Sequence, residues 1–212
     1  GTNGAVRLHQ RDDYSVLLRS FQIPRPATMI VSDGHVLLMS NAANLYVLDS
    51  QLTQLGAPIP ATSTLARAAS VSLDRIAIAF YLSESESSVR LYSLTTHTQI
   101  GAEKVFTNAG DISGMVFDSR KLIVTFKTGN VVGMAVDGTG TEVVPLALRG
   151  GSRLGGNDTN SKNPAFDATR NRIVALDVVG SGRLIVLDAD TLDHVPGSPS
   201  ALPKYGVSLV VY

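Results

Sequence analysis

The chain is 212 residues long and carries 18 basic and 18 acidic side chains, a formal net charge of +0, which excludes the bulk positive field behind non-specific binding to nucleic acid or anionic membranes. A hydrophobic fraction of 44% is enough to fill a core, and the lack of cysteine excludes disulfides, iron–sulfur clusters and thiolate zinc sites. No apolar run reaches the roughly 20 residues of a membrane helix, and no basic-then-apolar leader opens the chain. No membrane insertion and no nucleic-acid partner are therefore expected; the compartment stays open, with an intracellular setting slightly favoured over export.

The chain begins with AVRLHQ, around Val6, and a second apolar stretch around Val16, separated by the polar link RDD. From Ala27 to Pro60 it then runs through four short apolar stretches divided by turn residues: ATMIVS, HVLLMS, LYVLD and a last one around Leu55. The same sequence of four returns as AASVSL, RIAIAF, VRLYS and a stretch around Ile100, then as SGMVF, KLIVTF, GMAVD and a stretch around Val143. It returns once more as PAFD, RIVALD, LIVLD and a stretch around Val195, and the chain closes on another first-type stretch, YGVSLVVY. Third stretches aligned at Val6, Leu45, Val89, Gly133 and Leu184 recur every roughly 40 to 50 residues, the period of a repeat architecture. Each fourth stretch follows its third across a short polar link such as SQLTQ, TTHTQ or ADTLDH, with the near-constant offset that hairpin register demands.

Between first and second stretches lie Ser32-Asp33-Gly34, Leu73-Asp74-Arg75, Asp118-Ser119-Arg120 and the segment Asp167 to Asn171. These residue types tolerate left-handed backbone or bond their own main chain. No stretch shows helical periodicity over ten residues. The expected fold is all-β: a five-bladed β-propeller of four-stranded blades forming one domain over residues 1–212. Four blades cover about 27–60, 66–107, 112–148 and 163–202. A fifth is shared between 1–23 and 204–212, which would close the ring and remove exposed sheet edges. That shared blade lacks a second stretch, which residues outside this sequence, a larger propeller or another molecule would supply, the first being the preferred reading; the module is accordingly expected to be part of a larger protein or complex.

The stretches LYVLDSQLTQLGAPIP and RLIVLDADTLDHVPGSPSALPKYGVSLVVY resemble the YVTN, lactonase-like propeller repeats, and SVRLYSLTTHTQIG looks like a WD repeat. The resemblance implies a propeller over nearly the whole chain. It carries no catalytic motif, and the Trp-Asp pair is absent, as is any tryptophan.

Propeller ligands sit where the loops leading into the inner strands converge. Here those loops hold Arg25, Arg67, Asp111, Asn163, Lys204 and Tyr205, a mixture suited to a protein, a peptide or a small polar ligand through charge-assisted bonds. Solvated rim residues are the competing reading. The alternative function is a metal-assisted hydrolase of lactonase or glycosidase type, or a small-ligand propeller, but only Asp111 among the carboxylates falls at such a loop. Asp33, Asp74, Asp118 and Asp167 recur at the opposite turns, and Asp49, Asp137 and Asp188 end third stretches, as structural turn residues would. Asp177 ends RIVALD where sister positions hold Ser40, Phe80 and Phe126, which marks it as a lesser candidate acid. His9, His35, His97 and His194 form no zinc or triad spacing. Two insertions stand out: the acidic segment Ser83 to Ser88, open to phosphorylation, and the glycine-rich 149–162. The expectation is a non-catalytic protein–protein interaction module with no cofactor and no metal.

Overall fold

The computed structural model describes residues 3–24, 26–40, 44–60, 66–72, 74–118, 120–127, 130–135, 143–144, 164–177 and 183–201. Among these residues there is no helix, and every sheet is antiparallel. Strands β1 (Asn3–His9) and β2 (Leu17–Pro24) form a hairpin. Next, β3 (Pro26–Ser32), β4 (His35–Ser40), β5 (Asn44–Leu48) and β6 (Ile59–Pro60) pair in chain order. A third sheet holds β7 (Ala66–Ser72), β8 (Arg75–Tyr81), β9 (Glu86–Ser93) and β10 (Gln99–Thr107). The fourth holds β11 (Ile112–Phe117), β12 (Lys121–Phe126), β13 (Val131–Ala135) and β14 (Val143–Val144). The fifth holds β15 (Ala165–Asp167), β16 (Arg172–Asp177), β17 (Arg183–Asp188) and β18 (Ser200–Ala201).

The second strand of each four-stranded sheet explains why the sheets stack. HVLLMS, RIAIAFY and KLIVTF are apolar on consecutive residues rather than alternate ones, the pattern of a strand covered on both faces. In β8, Ile76 and Ile78 pack backward with Leu37, Met39 and Val47 of the preceding sheet, while Ala77 and Ala79 pack forward with Met115, Phe117 and Phe126. Successive side chains point to opposite faces of a strand, so one strand serves two interfaces. The series continues with Ile123 and Val131 against Ile173, Ile185 and Leu187. At the amino end, Val6, Leu8, Phe21 and Ile23 of the hairpin lie against Val36, Leu38 and Leu48.

The turns use the carboxylates as caps. Asp118 accepts the backbone N–H groups of Arg120 and Lys121, each at 2.6 Å, and Asp49 accepts those of Gln51 and Thr53, each at 2.8 Å. Asp188 accepts from Asp190 and Thr191, and Asp33 and Asp74 adopt φ of 46° and 60°. Asp137 lies outside the described residues.

Two differences from the sequence reading concern the outer strands and one insertion. Leu55 and Val195 fall in no named strand, although Leu55 N donates to Val47 O at 2.8 Å and Val195 N to Val186 O at 3.1 Å. After them the chain bulges and rejoins as the two-residue strands β6 and β18. Gly56, Gly101 and Gly197 occupy the bulge with φ of +68°, +67° and +84°, and prolines at 58, 60, 196 and 199 remove donors that a longer outer strand would need. The acidic segment is a tight connection rather than a lengthened loop: Ser83 N donates to Glu86 O at 3.0 Å, and residues from Glu86 onward are already in β9. Ser87 and Ser88 are fully buried, closed to a kinase in the folded chain. The 149–162 insertion, and the pairing that would bring 204–212 to the β1–β2 sheet, lie outside the described residues.

Candidate interaction face

Each inner strand of the first three four-stranded sheets begins with the same irregularity. The register slips between Pro26 and Thr28, between Ala66 and Ala68, and between Ile112 and Gly114, so Ala27, Arg67 and Ser113 are the extra residues of three equivalent β-bulges. Bulges re-aim side chains at the rims of sheets and beside sites. Sequence reasoning placed Arg67 in an approach loop. It lies instead inside β7, at a bulge, and its side chain is outside the described residues; Arg25, Asn163, Lys204 and Tyr205 are outside them entirely.

Asp111, the residue just before β11, is fully placed. Its carboxylate Oδ2 lies 2.8 Å from Lys127 Nζ, both side chains being largely buried, and its backbone carbonyl accepts Lys127 N–H at 2.8 Å. The pair clamps the start of β11 to the residue that follows β12. Beneath it, Ser113 and Thr125 share a 2.9 Å hydroxyl contact, and Thr125 donates to Gly114 O at 3.1 Å. The neighbouring sheet reaches the same end of the molecule: Ser87 Oγ donates to Gly110 O at 2.8 Å, and Gly110 N to Ser85 O at 3.4 Å. The approach to β11 is thereby tied to the β8–β9 connection, and Glu84 stands exposed beside it. Nearby, Arg90 lies 4.5 Å over the Phe80 ring and pairs with Glu103 at 3.0 Å. Burial works against the Arg90 charge, yet hydrogen bonds to Glu103 and Tyr92 outweigh it and hold the guanidinium above its ordinary pKa.

At the opposite end the acids are engaged with their own turns. The N–H of Thr191 lowers the Asp188 pKa most, against the cost of desolvation, with Asp190 N–H and Arg172 adding to the effect. Asp177 is the last residue of β16, in register with Arg183. Among the described residues no three His, Asp or Glu side chains are grouped so as to hold a metal ion. No helix of the described residues is long and apolar enough to cross a membrane.

The repeated bulges carried no marker that spacing alone reveals, whereas the two-faced second strands are marked by their unbroken apolar runs. The glycines at 56, 101 and 197, at the outer strands β6, β10 and β18, were a signal in the sequence that went unused.

Four antiparallel sheets of four strands, stacked face to face in chain order with their inner strands adjacent, define a propeller-like, all-β protein. No protein-family model and no curated protein sequence matches the chain. Among solved structures it is similar to the β-propeller BamB from Moraxella catarrhalis, with a TM-score of 0.59 and 13% identity over 94% of this chain and 56% of that one. It is also similar to Hsv2 of Kluyveromyces lactis (TM-score 0.53, 13% identity, 84% and 52% covered). The computationally designed Ika8 protein matches at a TM-score of 0.53 and 14% identity, with 80% and 48% covered. The chain thus spans about half the length of each of these structures.

Proposed function

We propose that the chain is a non-catalytic protein–protein interaction module, built from WD-like or YVTN-like repeats in a five-bladed propeller whose 204–212 segment supplies the inner strand of the blade begun by β1 and β2. The observation that carries the reading is how the acids are spent. Asp49, Asp118, Asp167 and Asp188 accept hydrogen bonds from their own turns, and Asp111 is paired with Lys127. These carboxylates serve the scaffold, which leaves the loops at the bulged ends of the inner strands as the variable part, and rigid sheets bearing variable loops suit recognition.

In this reading a protein or peptide partner is held at that end by Arg25, Arg67, Asn163, Lys204 and Tyr205 through charge-assisted hydrogen bonds, while Asp111, buried against Lys127, holds the start of β11 in place. The test is affinity capture on the immobilised chain from native extract, read by mass spectrometry, beside the double variant R25E/R67E. A reproducible set of proteins lost with the variant supports the module. Recovery of no protein, or of metabolite-linked enzymes alone, overturns it; recovery unchanged by the variant removes this face from the proposal.

A further inference from the structure

Every second strand opens on a basic residue: His35 in β4, Arg75 in β8, Lys121 in β12 and Arg172 in β16. Three of the four are met within their own sheet. Arg172 stands in register with Asp188 at the end of β17, and its Nη1 donates to Asp188 Oδ2. Lys121 Nζ lies 3.2 Å from Asp118 Oδ2, and His35 Nδ1 meets Asp33 O at 2.7 Å. Arg75 has no such partner among the described residues, and its Nη1 is buried without a hydrogen bond.

The difference lies in one residue of the repeat. Arg75 is in register with Ser93, the last residue of β9, as Arg172 is with Asp188. A carboxylate at this place has two oxygens and two duties. Asp188 Oδ1 accepts the N–H groups of Asp190 and Thr191, at 3.0 and 3.1 Å, which leaves Oδ2 for Arg172. Ser93 keeps the first duty: its Oγ accepts from Thr95 N and Thr96 N, each at 3.2 Å. It has no second oxygen, so the turn is capped while the guanidinium is not met.

The neighbouring acids do not make up the loss. Asp74, beside Arg75 in the chain, is turned to the β9–β10 connection: its Oδ1 accepts from Thr95 Oγ1 at 2.9 Å and its carbonyl from Leu94 N at 3.0 Å. At the seam between the last two sheets, Asp190 reaches back to Arg120 and Lys121. The corresponding residue in the sheet after Arg75, two places beyond Asp137, is Thr139, which carries no charge. Asp137 itself stands in sequence where Asp49 and Asp188 cap their own turns. A charged donor left without an acceptor is costlier than a neutral one, and the planar fork of a guanidinium fits the two oxygens of a carboxylate.

We propose that Arg75 is a carboxylate-binding site at the turn end of the β7–β10 sheet, where an external carboxylate takes the place that Asp188 Oδ2 holds beside Arg172. The ligand is a small free carboxylic acid or an acidic side chain of a partner polypeptide. The site lies at the opposite end from the bulged starts of the inner strands, so it stands independently of the partner face proposed above.

Titration of the isotope-labelled chain with sodium acetate, sodium chloride holding the ionic strength constant, tests the site by nuclear magnetic resonance. Acetate should shift the amide resonances of Arg75 and of residues 94–96 saturably. Arg75→Met and Ser93→Asp should each weaken acetate binding by about tenfold or more, the first by removing the fork and the second by supplying the carboxylate from within. Ser93→Asp should also raise the urea midpoint, and should fail to do so in the Arg75→Met background. Asp137→Asn should leave the acetate response as it is. A chain that responds no differently to acetate and chloride overturns the proposal, as does a response that persists in both variants. So does a site that answers only once Asp137 is made asparagine, because the chain would then be filling it with its own acid. Blocked Gly-Asp-Gly and Gly-Asn-Gly peptides separate the two sources. An aspartyl peptide that binds more tightly than acetate, with its asparaginyl twin silent, assigns the carboxylate to a polypeptide; one that binds less tightly assigns it to a free acid.

Discussion

Replacing Phe126 by alanine removes a ring that is completely buried at the seam between the β7–β10 and β11–β14 sheets. The ring meets Phe106 of the outer strand β10 edge-on, with centroids 5.3 Å apart and planes at 71°, so its loss opens a cavity bounded on one side by β10 and on the other by β11. Buried Phe-to-Ala changes cost about 3–5 kcal/mol in transfer and cavity terms, a large fraction of the roughly 5–15 kcal/mol that holds a domain together. For a chain of this size the loss corresponds to a drop in Tm of roughly 6–20 °C. Urea unfolding followed by far-ultraviolet circular dichroism measures it. The Phe106→Ala partner and the double variant complete a cycle whose coupling should be about 0.5–1.5 kcal/mol beyond area burial. A loss below about 1 kcal/mol for Phe126→Ala, the size of an ordinary substitution, would show that the two sheets do not share this seam.

Asp111→Ala strips Lys127 of its carboxylate in a largely buried setting and should cost about 1–3 kcal/mol; Lys127→Met in the same background should recover part of it, and no recovery would refute the pair's role. Gly56→Ala places a Cβ at φ +68° and 3.0 Å from His97 Cε1, so a loss of about 1 kcal/mol or more is expected, reduced in the His97→Ala background. Asp13, Asp49, Asp167 and Asp188 all titrate below their ordinary value of 3.8 in the folded chain. The unfolded chain binds protons more readily at these groups, so their contribution is complete above the unfolded value and drains away as pH falls through the folded values. The urea midpoint should be level near neutrality and fall below about pH 4. Asp188→Asn should flatten that fall, and a superimposable profile would count against the turn caps.

The strand order of the four full sheets was legible because β4, β8, β12 and β16 are apolar on consecutive residues and each follows a turn that holds an aspartate, a pattern set by local geometry. The outer strands were misjudged where Leu55 and Val195 attracted attention as apolar residues, while the glycines after them, which bend the chain out of register, were passed over. Arg67 shows the same limit at the candidate face. A one-residue slip relative to β8 depends on how two strands meet, and neither strand alone records it. The exposure of Met29 and Val31 in β3 was equally hidden, because ATMIVS reads like any other inner strand.

The paired sizes in β8 have a consequence for how such a chain can change. Ile76 and Ile78 face backward and Ala77 and Ala79 forward, so the bulk missing on the forward side is made up across the seam by Met115, Phe117 and Phe126. Enlarging either alanine forces a trimming on the facing strand, and neighbouring repeats must then drift in step, each bound to its successor by a shared allowance of volume.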